Sequence, residues 1–238
     1  MEQKKLDGGF MGARSEFMEK ALIVGASGGI GKAVAQELAE RGVVVTGLSR
    51  REDGLDVTDP ASVAQIMSGL VGPFDFVFVA VGVLAPEGGT PEKSLAAVEA
   101  DAMAHVMAVN AIGPALVLAQ LGRLLPKDRA CVVGVLSARV GSIGDNQIGG
   151  WHSYRASKAA LNQIVHGAAI ELGRSHKKSI CVALHPGTVA TSFTANYAGR
   201  HATVTPDLAA RNLVDVMMGL TPANSGGFFD YAGQRVAW

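Results

Sequence analysis

A tyrosine and a lysine four residues apart, Tyr154 and Lys158, are the pair in this sequence best suited to moving a proton. On a helix, positions i and i+4 lie on one face, so the lysine ammonium can be held beside the phenol. A free phenol ionises at about pH 10, and a nearby cation favours the phenolate. We therefore predict that Lys158 lowers the pKa of Tyr154. A packing residue next to a solvated charge would give the same spacing, so the neighbouring elements must decide between the two interpretations.

A glycine-rich stretch follows the first apolar run, residues 20–25, and precedes a helical pattern over residues 32–41. Its glycines have the spacing Gly-x-x-x-Gly-x-Gly, at Gly25, Gly29 and Gly31. Between a strand and a helix, such a loop turns backbone N–H groups and the helix N-terminus towards an anion, typically a pyrophosphate. The stretch predicts dinucleotide binding, and a tight turn without a ligand is the alternative.

The end of the second predicted strand, residues 43–48, bears on the choice of dinucleotide. It is followed by Ser49, Arg50 and Arg51, with no acidic residue among them. An acid at this point would bind a ribose 2′-hydroxyl, whereas an arginine accommodates a 2′-phosphate. The sequence therefore favours NADP(H), with NAD(H) less expected, and a solvated basic turn is the alternative.

Apolar runs and helical patterns alternate along the rest of the chain without a linker or a repeat. This alternation predicts an α/β fold, a Rossmann-type doubly wound parallel sheet in a single domain over residues 18–238. Residues 1–17 show no apolar period, and we expect them to be a tag or a disordered leader. Beyond the first unit, strands are predicted at residues 74–81, 130–136, 179–184 and 226–231, and helices at about 60–70, 92–125 with a break at Gly113-Pro114, 154–174 and 206–219.

Composition excludes several classes of partner. The 238 residues carry 21 Lys and Arg against 21 Asp and Glu, so there is no basic field for nucleic acid or a membrane surface. No apolar run is expected to reach membrane-spanning length, and residues 74–84 fit a buried strand. Cys131 and Cys181 lie in strand-like runs, which predicts buried, reduced thiols, a cytoplasmic location and no metal site.

Taken together, these motifs resemble the classical short-chain dehydrogenase/reductase family. Their order and spacing match over about residues 20–238, and the segments 141–151 and 227–238 are similar above all to its C-factor-like branch, which is related to a cell–cell signalling protein. The motifs that carry the resemblance are Gly25-x-x-x-Gly29-Ile30-Gly31, Asp56-Val57, Asn110, Tyr154-x-x-x-Lys158, and Pro186-Gly187-Thr188-Val189 with Thr191.

The resemblance implies an NADP(H)-dependent oxidoreductase that interconverts a carbonyl and a secondary alcohol of a small molecule, assembled as a homodimer or homotetramer. In it, Tyr154 is the general acid or base, Lys158 binds the nicotinamide ribose, and Asn110 holds a water that relays protons. The cofactor-binding residues that it implies are Gly25, Ser27, Gly28, Gly29, Ile30, Gly31, Ser49, Arg50, Asp56, Val57, Ala80, Gly82, Tyr154, Lys158, Pro186, Gly187, Val189 and Thr191.

One departure from the family pattern concerns the catalytic serine. That serine precedes the active-site glycine, here Gly141, by three residues, and Ala138 stands in its place. Ser137 is the candidate catalytic serine, but adjacent strand residues point to opposite faces, and Ser142 or no serine are the alternatives. Ala138 therefore favours a second hypothesis, a nucleotide-binding sensor or signalling protein with little or no turnover.

Overall fold

The computed structural model describes residues 18–191, 193–194 and 203–238, so the predicted leader, residues 1–17, lies outside the described part. Six parallel strands form one sheet in the order β2-β1-β3-β4-β5-β6, which confirms the predicted Rossmann-type, doubly wound fold in a single domain. The strands are β1 Lys20–Val24, β2 Val44–Leu48, β3 Phe76–Val79, β4 Cys131–Leu136, β5 Ser179–His185 and β6 Phe228–Asp230.

Helices cover both faces of this sheet. On one face, Ile23 and Phe78 pack towards the helices at residues 29–40 and 206–219. On the other face, Leu22 and Val77 pack towards the helices at residues 60–68, 113–119 and 152–175. Because both faces of the strands are buried, the strands appear in the sequence as continuous apolar runs. The helices are α1 Gly29–Glu40, α2 Arg50–Asp53, α3 Pro60–Ser68, α4 Ala100–Met107, α5 Gly113–Ala119, α6 His152–Ser175 and α7 Pro206–Gly219.

The strand order reverses between β1 and β3. From β1 the chain moves outward to β2 and then returns to the other side of β1 to form β3. Val24 and Val79 are register partners at the ends of these two strands, and the Ala80 N–H donates to the carbonyl of Val24 at 2.7 Å. In open parallel sheets, the crevice outside such a reversal is where ligands bind.

The helix predicted over residues 92–125 is shorter and more broken than expected. It begins at Ala100, and a π-helical segment, Ala108–Ile112, separates α4 from α5. Pro114 has no backbone N–H to donate, so the regular hydrogen-bond ladder cannot continue through it. The predicted break at Gly113-Pro114 is thus real, but the chain relaxes it in the preceding turn, which contains Asn110.

One helical stretch in the described part of the chain is long and apolar enough to cross a membrane by length and composition. It runs over 24 residues, Ala100–Arg123, and 18 consecutive residues within it have a mean hydropathy of 1.7. The expectation that nothing reaches spanning length is therefore wrong, because it considered only uninterrupted apolar runs. The core helix of a soluble protein passes the same test, and Val117 and Leu118 of this stretch belong to the buried core.

A buried carboxylate ties the N-terminal ends of three strands together. Asp75, just before β3, accepts hydrogen bonds from the backbone N–H groups of Glu19 and Lys20 at 3.0 and 3.2 Å, and from Arg129 Nε at 2.8 Å. Glu19 and Lys20 open β1, and Arg129 lies two residues before β4. The carboxylate is thus satisfied on all sides by groups that its removal would leave unpaired.

We predict that Asp75→Ala lowers the free energy of unfolding by about 2–3 kcal/mol, because two backbone donors and a guanidinium lose a charged acceptor. Urea unfolding measures the change. Asp128→Ala is the matched control: Asp128 is exposed next to Arg129 and its loss should cost less than about 0.5 kcal/mol. Equal effects of the two substitutions would contradict this account of Asp75.

Candidate active site

Helix α6 brings Tyr154 and Lys158 together, as their spacing predicts. Both side chains are buried, 7% and 3% exposed, and Lys158 Nζ lies 5.9 Å from the centroid of the Tyr154 ring. The ammonium donates to the carbonyl of Leu136, at the end of β4, at 2.9 Å. The pair is therefore part of the interior of the crevice, and the alternative of a solvated lysine is wrong.

Burial changes the acidity of both groups. It raises the pKa of Tyr154 above its ordinary value and lowers the pKa of Lys158 to about 7. In each case the interior penalises the charged form. The prediction that Lys158 lowers the pKa of Tyr154 is wrong for this arrangement, because desolvation of the phenol outweighs any attraction to the ammonium. The phenol is consequently protonated at neutral pH, while Lys158 is close to its own midpoint.

Asn110 fastens the crevice from the side of the π-helical segment. Its Oδ1 accepts from Val83 N–H at 2.7 Å, and its Nδ2 donates to the Val83 carbonyl at 2.8 Å and to Ser157 Oγ at 2.9 Å. Ser157 Oγ in turn donates to the Tyr154 carbonyl at 2.8 Å. The amide N–H groups of Asn110 are thus fully used, so a relay water would have to meet an oxygen of this residue. The relay stays a prediction.

Two glycines let other segments approach Lys158. A Cβ on Gly82 would stand 3.3 Å from both Lys158 Nζ and Asn110 Oδ1. A Cβ on Gly141 would stand 2.7 Å from the Lys158 carbonyl carbon and Cβ. The loop after β3 and the loop after β4 can therefore both contact the ammonium-bearing turn of α6 only because these positions lack a side chain.

The predicted glycine loop forms a cradle at the carboxyl end of β1. Gly25 has φ +91°, and a Cβ there would stand 2.6 Å from the Ala80 carbonyl oxygen. A Cβ on Gly31 would clash with the Gly25 carbonyl. Helix α1 then starts at Gly29 with Gly28 as an extended N-cap that offers no side-chain bond. The N–H groups of Gly25, Ala26 and Gly28 are used within the loop. Those of Gly29, Ile30 and Gly31 form the first turn of α1, which has no acceptors within the helix, so this turn fits a pyrophosphate.

The segment after β5 meets this cradle from the opposite side. A Cβ on Gly29 would stand 2.7 Å from Cγ2 of Thr191, so residues far apart in sequence share one small space. Gly187 has φ +77°, and a Cβ on it would stand 3.0 Å from the Tyr231 ring. Val189 is buried. The structure thus brings together the predicted nucleotide-binding segments 25–31, 80–82 and 186–191.

A short helix, α2, follows β2 directly, and the sequence patterns did not predict it. Ser49 caps α2, because its Oγ accepts from Glu52 N–H at 3.1 Å, while its own N–H donates to Asp53 Oδ2 at 2.7 Å. Arg50 begins this helix and is exposed. The hydrogen bonds from Thr58 lower the pKa of Asp56, and the charge of Arg50 adds to this effect. The Ser-x-x-Glu pattern was the available signal for α2.

The predicted catalytic serine is engaged elsewhere. Ser137 Oγ, which is buried, donates at 2.6 Å to Asn162 Oδ1, near the middle of α6. Ser142, the other candidate, is also buried and accepts from Asp145 N–H at 3.1 Å. Ser137 would have to exchange its present partner to orient a substrate carbonyl, so its catalytic role stays a prediction. No sequence motif pointed to Asn162.

Aromatic and small apolar side chains surround the phenol. The rings of Trp151 and Phe193 lie 6.2 and 6.0 Å from the Tyr154 ring, centroid to centroid. Beside them is a cavity of about 210 Å³ lined by Gly82, Val83, Leu84, Ala85, Gly89, Pro91 and Phe193, none of them charged. A larger cleft of about 500 Å³ lies between α7 and the end of β6, and neither Tyr154 nor Lys158 lines it.

We predict that Gly141→Ala destabilises the fold by about 1–3 kcal/mol and displaces Lys158, because the new methyl group overlaps the α6 backbone. Gly167→Ala, within α6 itself, is the matched control. A Cβ at Gly167 meets nothing within 4 Å, so this change should stabilise by up to about 1 kcal/mol. Thermal unfolding of both variants measures the effects, and a Gly141→Ala protein as stable as wild type would refute the close approach.

The lowered pKa of Lys158 predicts a pH-dependent contribution to stability. Between about pH 7 and pH 10.5, which is the ordinary pKa of a lysine, Lys158 has released its proton in the folded chain but still holds it in the unfolded chain. Stability therefore rises with pH over this interval. Relative to Lys158→Met, which has no titrating group, wild type should gain unfolding free energy from neutral to alkaline pH in urea titrations. A constant difference between the two would contradict the shift.

Comparison with known proteins agrees with this geometry. Residues 19–201 match the family model described as short chain dehydrogenase. The 1-hydroxy-2-glutathionyl-2-methyl-3-butene dehydrogenase of Rhodococcus sp. (strain AD45) is 31% identical over 237 residues, 93% of this chain and 100% of that protein. C-signal of Myxococcus xanthus is 36% identical over 136 residues, 57% of this chain and 78% of that protein.

A solved structure shows the same fold. The carbonyl reductase from Pseudomonas aeruginosa PAO1 in complex with NADP is 26% identical, covers 93% of this chain and 100% of its own, and has a TM-score of 0.76. The family-model match spans far more than half of the residues, and the resemblance inferred from the motifs is confirmed. The chain belongs to the short-chain dehydrogenase/reductase family of oxidoreductases, in its C-factor-like branch.

Proposed function

We propose that this protein is an NADP(H)-dependent oxidoreductase that interconverts a carbonyl and a secondary alcohol of a small molecule, with Tyr154 as proton donor and acceptor. The observation that carries the proposal is the buried Tyr154–Lys158 pair at the end of a crevice whose other side is a glycine cradle. The nicotinamide supplies or accepts the hydride. The chain supplies the binding surface, the orientation and the proton.

Each part of the crevice has a role in this proposal. The N–H groups of Gly29, Ile30 and Gly31 would hold the pyrophosphate, and the ammonium of Lys158, which donates to the Leu136 carbonyl, would bind the ribose hydroxyls. In carbonyl reduction, the carbonyl carbon gains the hydride and its oxygen gains the proton of Tyr154. The raised pKa of Tyr154 keeps the phenol protonated until that step, and a charged Lys158 then favours the phenolate that remains.

The preference for the 2′-phosphate rests on the end of β2. Arg50 is exposed there, and Ser49 is not an acid. The NADP complex of the carbonyl reductase from Pseudomonas aeruginosa supports the same choice by analogy. The carboxylate of Asp53, which binds the Ser49 N–H, works against it, because like charges repel. We propose that the charge of Arg50, together with Arg51, outweighs it.

The cavity indicates the kind of substrate. None of the side chains that line it is charged, and one of them, Phe193, lies 6.0 Å from the Tyr154 ring, so an uncharged group on the carbonyl carbon suits this space. Ketones and aldehydes with small alkyl or aryl groups are therefore the first substrates to assay. We also propose a cytoplasmic homodimer or homotetramer. Exposed Ile112 and Ile170, 52% and 53% accessible, support the assembly as apolar surface near α5 and on α6.

The second candidate function is a nucleotide-binding sensor or signalling protein with little or no turnover. It is favoured by Ala138 and by the bond that occupies the Ser137 hydroxyl. A substrate carbonyl would then receive one hydrogen bond, from Tyr154, and losing one such donor costs about a hundredfold or more in rate elsewhere. The match to C-signal, over 57% of this chain, is consistent with that function.

Turnover with NADPH separates the two functions. We expect oxidation of NADPH with at least one apolar ketone or aldehyde, and a loss of about a hundredfold or more in kcat for Tyr154→Phe, with NADPH binding unchanged, because the variant cannot donate the proton. Arg50→Ala should weaken NADPH binding and leave NADH binding unaltered. Tight NADPH binding without turnover on any substrate supports the sensor, and undiminished turnover by Tyr154→Phe rules out the mechanism.

A further inference from the structure

Helix α6 begins without a cap of its own. An N-cap residue usually has extended backbone and a short side chain whose oxygen accepts a bond from the first turn. The N-cap of α6 is instead Trp151, in the left-handed region with φ 52° and ψ 42°, and its side chain makes no capping bond. The N–H groups at the start of the helix, just before Tyr154, need acceptors from elsewhere.

Glu92, from the loop between β3 and α4, supplies those acceptors. Its backbone carbonyl accepts from Trp151 N–H at 2.5 Å, and its carboxylate accepts from Ser153 N–H at 3.2 Å. The carboxylate also accepts a hydrogen bond from the Ser153 hydroxyl. Ser153 is buried, with 2% of its surface exposed, and Glu92 is half-buried. One residue, distant in sequence, thus caps the helix that carries Tyr154.

The backbone that leads into α6 adopts an unusual path against Glu92. Gly149, Gly150 and Trp151 are all left-handed, with φ 68°, 65° and 52°. For a residue with a side chain this region costs roughly 1–2 kcal/mol. A Cβ on Gly150 would stand 3.6 Å from the carbonyl oxygen of Glu92, so the two backbones are in contact. Arg155 Nε holds the same turn by donating to the Gly150 carbonyl at 3.0 Å.

The charge of Glu92 suits its place. Burial raises its pKa, but the hydrogen bonds from Ser153 outweigh burial, so the pKa is lowered. The side chain is therefore a carboxylate at neutral pH. A negative charge at the N-terminus of a helix is favoured by the aligned peptide dipoles.

Glu92 also connects α6 to the substrate cavity. The preceding residue, Pro91, lines the cavity of about 210 Å³ beside the Tyr154 ring, as does Gly89 in the same loop. From these contacts we infer that Glu92 is a positioning residue, which fixes the first turn of α6 and thereby the phenol of Tyr154 relative to the cavity wall. The inference rests on the proposed function in one respect, that Tyr154 is the group that transfers the proton.

The experiment compares Glu92→Ala and Glu92→Gln with wild type. The matched controls are Glu87→Ala and Glu87→Gln, since Glu87 is an exposed acid of the same loop. Rates are measured for reduction of an apolar ketone with NADPH, in water and in heavy water, beside NADPH affinity and thermal stability. Phenol-labelled tyrosine gives NMR signals for the three tyrosines of the chain, and Tyr154→Phe assigns that of Tyr154.

We expect Glu92→Ala to lower kcat about tenfold or more, to increase the solvent isotope effect and to shift the Tyr154 signal, because the phenol is displaced from the position that proton transfer requires. NADPH affinity should stay within about twofold of wild type. Glu92→Gln should lie between, since an amide oxygen still accepts one of the two carboxylate bonds. The Glu87 variants should match wild type in every reading.

A loss of thermal stability with kcat, isotope effect and Tyr154 signal all unchanged would overturn the inference, because Glu92 would then only stabilise the fold. If Glu92→Ala does not fold, Glu92→Gln decides on the same readings. If wild type shows no turnover, the proposed oxidoreductase function fails, and the Tyr154 signal still decides whether Glu92 positions the phenol: a shift in the Glu92 variants supports it, and none refutes it.

Discussion

The burial of one ammonium group, that of Lys158, dictates how the rest of the crevice is built. A lysine in the interior requires a close acceptor, and here this is the Leu136 carbonyl at the end of β4. Three segments must then approach the same turn of α6: the end of β4, the loop at Gly82 and the loop at Gly141. Glycine at the last two positions, and the Asn110 bonds to Val83 and Ser157, make this convergence possible.

The same burial sets the protonation states available for chemistry. With the pKa of Tyr154 raised and that of Lys158 lowered to about 7, the resting pair is a protonated phenol beside a lysine that is easily discharged. A proton donor for a carbonyl needs the first property. The second makes the charge of Lys158 sensitive to its surroundings, so a bound dinucleotide with its negative phosphates would favour the charged form.

Family membership does not decide between turnover and nucleotide sensing, because the two proposals differ at two neighbouring residues, Ser137 and Ala138. The fold is that of a short-chain dehydrogenase/reductase, while Ala138 lacks a hydroxyl and that of Ser137 binds Asn162. In the proposed reaction, the chain would thus provide the proton more completely than it would orient the carbonyl. The proposed role of Glu92 is to restrict where the phenol of Tyr154 can lie.

The sheet, most of the helices that flank it and the segments that meet at the crevice were predictable from local sequence patterns. Continuous apolar runs, Gly25 to Gly31 and the four-residue spacing of Tyr154 and Lys158 are local patterns, and local patterns follow from backbone geometry. The sequence did not reveal α2, the start of α4, the partner of Ser137 or the pKa of Tyr154. These depend on which distant groups meet in the folded chain and on how much water they exclude, as with Glu92 and Ser153, which lie 61 residues apart. Only the tertiary structure decides such contacts, because hydrogen bonding and desolvation act through space and not along the chain.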